Sequence, residues 1–186
     1  MAAGREDEAR SDPGMVFRAM LTAEATRRTR PHAMDLRPAE LDHPAVQALI
    51  GVHLAAMHAN SPPGHVFALD DSGLRQADVS VWSAWHDDAL LGIGALRGLD
   101  AHAGEVKSMR THPDHLRKGV ARVILEHLVA VARSRGWHRL SLETGCGPAF
   151  EPALALYRAR GFVDGDAFGS YRTNAFSRFL HLTLAP

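Results

Sequence analysis

The sequence predicts a mixed α/β (α+β) domain. Apolar residues at three- and four-residue spacing alternate with stretches rich in β-branched and aromatic residues. The order so produced is strand, helix, hairpin, strand, helix, strand, helix, strand. The tight turn at His86-Asp87-Asp88 requires an antiparallel pair, so the sheet is not wholly parallel.

The elements follow in order. Residues 34–37 read as a short strand stopped by Pro38. Residues 43–60 carry Val46, Leu49, Ile50, His53, Leu54 and Met57 at helical spacing, with Asp42 the expected N-cap and Pro44 in the first turn. Ser61-Pro62-Pro63-Gly64 interrupts regular structure, so residues 60–76 read as a loop with room for one short helix. Residues 79–85 and 89–99 form the hairpin, and 105–111 a third strand reached through 100–104. A helix at 117–135 presents Val120, Ile124, Leu128 and Val131, flanked by Ala121 and Leu125, and Gly136 stands just past its C-cap. Residues 139–143 read as a strand, 151–160 as a helix ended by Gly161, 162–163 as the start of another strand, and 176–184 as the last. Residues 1–33 differ: their start is charged and poor in large apolar residues, and 22–30 is rich in Arg and Thr. They are expected to form a poorly ordered or partly helical extension, with a short helix near 15–26, ahead of a domain at 34–186.

Composition narrows the function. Apolar residues make up 46% of the 186, enough for a sizeable core. Acidic and basic residues balance at 21 each, so no field of one sign favours nucleic acid or an anionic membrane. Among the basic residues only Lys107 and Lys118 are lysine. Cys146 is the single cysteine, which rules out an intramolecular disulfide and suits a reducing compartment. No apolar run approaches the ~18 residues of a membrane span, and the first thirty residues lack a signal-peptide core. A cytoplasmic location is the expectation.

The chemistry concentrates at residues 105–121, Glu-Val-Lys-Ser-Met-Arg-Thr-His-Pro-Asp-His-Leu-Arg-Lys-Gly-Val-Ala. A strand runs into a turn, and Gly119 opens a helix whose free N–H groups and dipole favour a phosphate. Glycine lets the anion approach the backbone closely, and Arg117 and Lys118 add positive charge. An ordinary helix start with solvated charges has the same local pattern. The loop is not a P-loop, and it fails the dinucleotide fingerprint. His112 and His115 form an H-x-x-H pair, but spacing places no third ligand, so no metal is expected. Cys146 sits between Gly145 and Gly147 without a nucleophile motif.

Three motifs resemble the GNAT superfamily of N-acetyltransferases. Leu116-Arg117-Lys118-Gly119-Val120-Ala121 is similar to its pyrophosphate signature, Gln/Arg-x-x-Gly-x-Gly/Ala. Met109-Arg110-Thr111, followed by His112-Pro113, is similar to the strand end before it. Ala153-x-x-Leu156-Tyr157-x-x-x-Gly161-Phe162 is similar to the later helix-to-strand signature. The likeness extends over about 150 residues, and the stretches 61–63, 105–111 and 141–145 look most like bacterial YsnE-type members. It implies a single GNAT-type domain: a central, mostly antiparallel twisted sheet flanked by helices, with a V-shaped splay between strands 105–111 and 139–144. Two positions depart from the family. Leu116 replaces the usual Gln or Arg, and Phe150 stands where many members have an Asn toward the pantetheine arm.

The resemblance implies acetyl-CoA as co-substrate and a small-molecule or peptide amine as acceptor; with the composition and spacing above, no nucleic acid, membrane or metal is expected. Homodimers are common in the family. Met109, Arg110 and Thr111 would bind the cofactor through strand backbone, the Met109 N–H polarising the thioester carbonyl at a bulge. Residues Leu116, Arg117, Lys118, Gly119, Val120 and Ala121 would bind the diphosphate. Tyr157 would protonate the leaving sulfur. A phenol of pKa ~10 facing a thiol of ~8.5 is uphill by about 2 kcal/mol. Deprotonating an alkylamine of pKa ~10.4 at pH ~7.4 costs about 4 kcal/mol, so a base is useful. Glu105, four residues before Met109, is the preferred candidate, needing an upward pKa shift or a water relay. Glu143, ending the neighbouring strand, is the second. Lys107 shares a strand face with Glu105 and is expected to ion-pair with it on the sheet surface. Ser61, Pro62 and Pro63 are candidates for lining the acceptor site. The alternative is a non-catalytic acyl-CoA-binding module that senses the cofactor or acts through a partner. Such a module has no need of Tyr157 and Glu105.

Overall fold

A computed structural model of the chain describes residues 34–184. The expectations for residues 1–33 lie outside them. The elements are β1 (Asp35–Pro38), α1 (Pro44–Asn60), α2 (Asp71–Leu74), β2 (Val79–His86), β3 (Ala89–Gly98), β4 (Ala103–Thr111), a 3-10 turn (Pro113–His115), α3 (Val120–Ser134), β5 (Arg139–Thr144), α4 (Glu151–Ala159), β6 (Val163–Asp164) and β7 (Arg178–Thr183). The strands form one sheet in the order β1-β2-β3-β4-β5-β7-β6. Every neighbouring pair is antiparallel except β4–β5, which the α3 crossover makes parallel.

The two faces of the sheet carry different helices. On one, Val46, Leu49 and Ile50 of α1 and Leu74 of α2 pack with Trp85, Ile93 and Ala95. On the other, α3 and α4 cover Val106, Leu140, Leu142 and Leu180. The buried stripe of α3 is Val120, Ile124, Leu125, Leu128, Val129 and Ala132. Val131, expected on it, is only half-buried, because the stripe is centred one position further round the helix.

Three boundaries correct the sequence reading. His43, not Asp42, caps α1: its Nδ1 accepts the Ala45 N–H at 3.1 Å, while Asp42 pairs with Arg75 at 2.6 Å. Pro44 at the first helical position needs no N–H partner, so the helix starts there. Pro38 lies within β1 opposite Trp82, an arrangement an edge strand tolerates. The third helix begins at Val120 rather than Arg117, because Arg117 and Gly119 have φ of 58° and 81°, outside the helical region. Its other end follows the pattern: Arg135 is the C-cap and Gly136, at φ 73°, takes the left-handed position after it.

Two irregularities open the middle of the sheet. Strand β4 pairs with β5 only from Ala103↔Arg139 to Glu105↔Ser141, and beyond Glu105 the strands part. The remaining residues of β5 continue to pair with β7. On its other side β4 holds one extra residue: Ile93 faces Arg110 and Ala95 faces Lys107, so Ser108 and Met109 stand against Gly94 alone. Ser108 takes φ 50° there. A Cβ on Gly94 would lie 2.8 Å from Met109 Sδ and 2.6 Å from Ile124 Cγ2, so glycine lets the bulge sit under α3.

Candidate active site

The parting of β4 and β5 creates a cleft of about 160 Å³ that runs between α1 and α4. Its walls come from His53 and Met57 of α1, Lys107 to Arg110 of β4, Glu143 of β5, Phe150 at the N-cap of α4, and Tyr157 of α4. The peptide groups of β4 beyond Glu105 have no ladder partner on the β5 side, which leaves an edge able to pair with an extended amide-bearing ligand. Met109, Arg110 and Thr111 are on that edge.

Tyr157 sits on the inward face of α4, 7% exposed, with its ring 5.8 Å from that of Phe162. Its hydroxyl has no hydrogen-bond partner among the described residues. Burial raises its pKa above the ordinary phenol value, so it keeps its proton through neutral pH. Glu143 reaches the same cleft from β5. Burial raises its pKa, opposed by Ser177 and Lys107 and reinforced by Glu105. A carboxylate so placed is a stronger base than one in water.

Glu105 does not line this cleft. It is 1% exposed, accepts a 2.6 Å hydrogen bond from the Tyr171 hydroxyl, and lies 3.3 Å from Lys107 Nζ. Lys107 Nζ also donates to Tyr171 Oη at 2.8 Å and to the Phe67 carbonyl at 2.9 Å. The expected Glu105–Lys107 pair therefore exists, but buried rather than on the sheet surface, because Phe67 and Tyr171 close over it. The sequence reading missed Tyr171. It follows β6 in an irregular stretch, and only the fold brings it to β4.

The turn after β4 is exposed from Leu116 to Gly119. Gly119 caps α3 without a side-chain hydrogen bond, the first turn holds no acidic residue, and a Cβ at Gly119 would meet nothing within 4 Å. This helix start is thus exposed at Gly119 and uncapped by any side chain, as an anion site requires. Lys118 Nζ is turned back onto the Asp114 carbonyl at 2.9 Å. Leu116 is 56% exposed and offers no polar group there. Phe150 packs edge-on against Phe176 at 5.5 Å, so its cleft wall is apolar.

Ser61, Pro62 and Pro63 are not part of the cleft wall; Phe67 and Ala68 are, further along the same loop. Among the described residues no group of three or more His, Cys, Asp and Glu is placed to hold a metal. Cys146 Sγ lies 3.7 Å from the Ala175 carbonyl. No helix of the described residues is long and apolar enough to cross a membrane.

Five buried side-chain polar atoms among the described residues lack a hydrogen-bond partner, and three of them line the cleft: His53 Nδ1, Ser108 Oγ and Arg110 Nε. The sequence reading counted His53 only as a position on a helix face. In the structure it is 8% exposed, and burial, with Arg110 and Lys107 nearby, lowers its pKa to about 4.

Comparison with known proteins agrees with this geometry. The Acetyltransferase (GNAT) family matches residues 46–162. The chain is 50% identical over 145 residues to Uncharacterized N-acetyltransferase YedL of Escherichia coli (strain K12), covering 78% of this chain and 91% of the relative. It is 44% identical over 147 residues to Uncharacterized N-acetyltransferase YsnE of Bacillus subtilis (strain 168), covering 79% and 97%. The fold is similar to the crystal structure of a GNAT family acetyltransferase from Elizabethkingia anophelis with acetyl-CoA bound, at TM-score 0.61 and 16% identity over 83% of this chain and 100% of that one. The chain belongs to the GNAT family of acetyltransferases, and the expected fold class and activity class stand.

Proposed function

We propose that this enzyme transfers acetyl from acetyl-CoA directly to a primary amine of a small molecule or peptide, using Tyr157 and Glu143. The observation that carries the reading is their convergence on one cleft, at the point where β4 bulges and parts from β5. Bound acetyl-CoA supplies the acetyl group already activated as a thioester. The open helix start at Gly119, with Leu116, Arg117, Lys118, Val120 and Ala121 around it, suits the diphosphate, and the free edge of β4 at Met109, Arg110 and Thr111 suits the pantetheine amides. The Met109 N–H at the bulge then polarises the thioester carbonyl.

The remaining steps move protons. Glu143, directly or through one water, takes a proton from the acceptor amine, whose nitrogen forms the new bond to the acetyl carbon. As the carbon–sulfur bond breaks, Tyr157 donates its proton to the sulfur and recovers one from solvent. The geometry favours Glu143 over Glu105 as the base, because Glu105 already accepts from Tyr171 and is shielded from the cleft. We assign Glu105 to holding Lys107 beside Glu143.

The test is a panel of primary amines incubated with acetyl-CoA, following released thiol and the mass of the product. Amine-dependent thiol release with an acetylated product supports the reading. Acetyl-CoA binding without transfer to any amine would favour a binding module instead.

A further inference from the structure

The cleft holds a cation that the transfer chemistry leaves unused. Arg110 extends from β4 into the same space as Glu143, half-buried, and among the described residues it makes no hydrogen bond or ion pair. Its Nε is fully buried without a partner, and burial alone lowers its pKa. A guanidinium withdrawn from water without a counter-charge is costly, and the cost falls when an oxyanion binds it. His53 Nδ1 and Ser108 Oγ, also buried and unpartnered, line the same cleft. The buried cation beside it on β4 is satisfied: Lys107 has Glu105, Tyr171 and the Phe67 carbonyl. The unsatisfied set lines the cleft, whereas the Gly119 turn lies past the C-terminal end of β4 and is not part of the cleft wall.

We infer that the acceptor is an amine that itself carries an oxyanion, a carboxylate or a phosphonate, which Arg110 binds with help from Ser108 and His53 while the amine faces Glu143. The inference rests on the acetyltransferase reading above and specifies its substrate class. Arginine suits the role because its planar fork can hold two oxygens at once. Its backbone remains available to the pantetheine edge of β4, since backbone and side chain serve different sides of the strand.

The experiment compares matched acceptors: amino carboxylates, aminophosphonates, and neutral amides or amines of the same carbon skeleton. Wild type is expected to favour at least one oxyanion series over its neutral counterpart by at least tenfold in kcat/KM. Arg110→Gln is expected to lose that preference, and Arg110→Lys to restore part of it. The two anionic series distinguish carboxylate from phosphonate. Equal use of neutral and anionic amines by wild type, or acetylation of no anionic amine, would overturn the inference. So would an Arg110→Gln variant that slows both series equally. Calorimetric binding of acetyl-CoA to wild type separates the two levels, because its absence would sink the acetyltransferase reading itself.

Discussion

Tyr171 donates a 2.6 Å hydrogen bond to Glu105, and that contact divides the carboxylates of this enzyme into two roles. Glu105 is held under Tyr171 and Lys107, while Glu143 remains on the cleft. The two tyrosines should accordingly fail in different ways. Tyr171→Phe removes the hydrogen bond to buried Glu105 and leaves it only the Lys107 ion pair, so stability should fall by about 1–3 kcal/mol. Thermal unfolding would register it. Tyr157→Phe removes a hydroxyl with no protein partner among the described residues, so Tm should hardly move. Its turnover should drop about 100-fold or more with acetyl-CoA affinity retained. Unchanged turnover would remove Tyr157 from the chemistry.

The carboxylates separate by pH. Glu143 must be ionised to act as base, and burial raises its pKa, so activity should rise through a limb placed above the usual carboxylate range. Glu143→Gln should lower kcat about 100-fold and abolish that limb. Glu105→Gln should keep the limb and lose stability instead. A pH–rate profile that keeps its limb in Glu143→Gln would move the base elsewhere.

His53 links stability to acidity. Its folded pKa is about 4 against a reference of 6.5, so the unfolded chain binds this proton first. The sign follows: its contribution is complete above pH 6.5 and declines as pH falls toward about 4. The shift corresponds to about 3 kcal/mol at most. Arg110 and Lys107 of β4 add charge repulsion that opposes its protonation. In His53→Asn the loss of Tm between pH 7.5 and pH 5 should shrink; an undiminished loss would assign the pH dependence to other groups.

Much of the architecture was legible because it depends on local rules. The turn at Asp87-Asp88, the glycines after helix ends and the apolar spacing of α1 and α3 each act within a few residues. The cleft was legible only in part. Tyr157 falls on a motif and Glu143 on a strand end that can be read along the chain, as can the Gly119 turn outside the cleft wall. Tyr171 meets Glu105 across a long separation, which no spacing rule encodes. His53 looked like one more inward position of an amphipathic helix, and whether such a histidine finds a partner depends on the strand opposite. Arg110 was assigned by its backbone, and the side chain's lack of a counter-ion emerges only from the packing of β4 against α1.

Calorimetric titration of acetyl-CoA into wild type, Gly119→Ala and Gly119→Glu tests most directly whether this helix start holds the cofactor. Position 119 has φ 81°, so both substitutions carry the same backbone strain, and only Glu adds bulk and negative charge. Folded Gly119→Glu should lose measurable binding while Gly119→Ala keeps part of it. Wild-type affinity in Gly119→Glu would contradict the account.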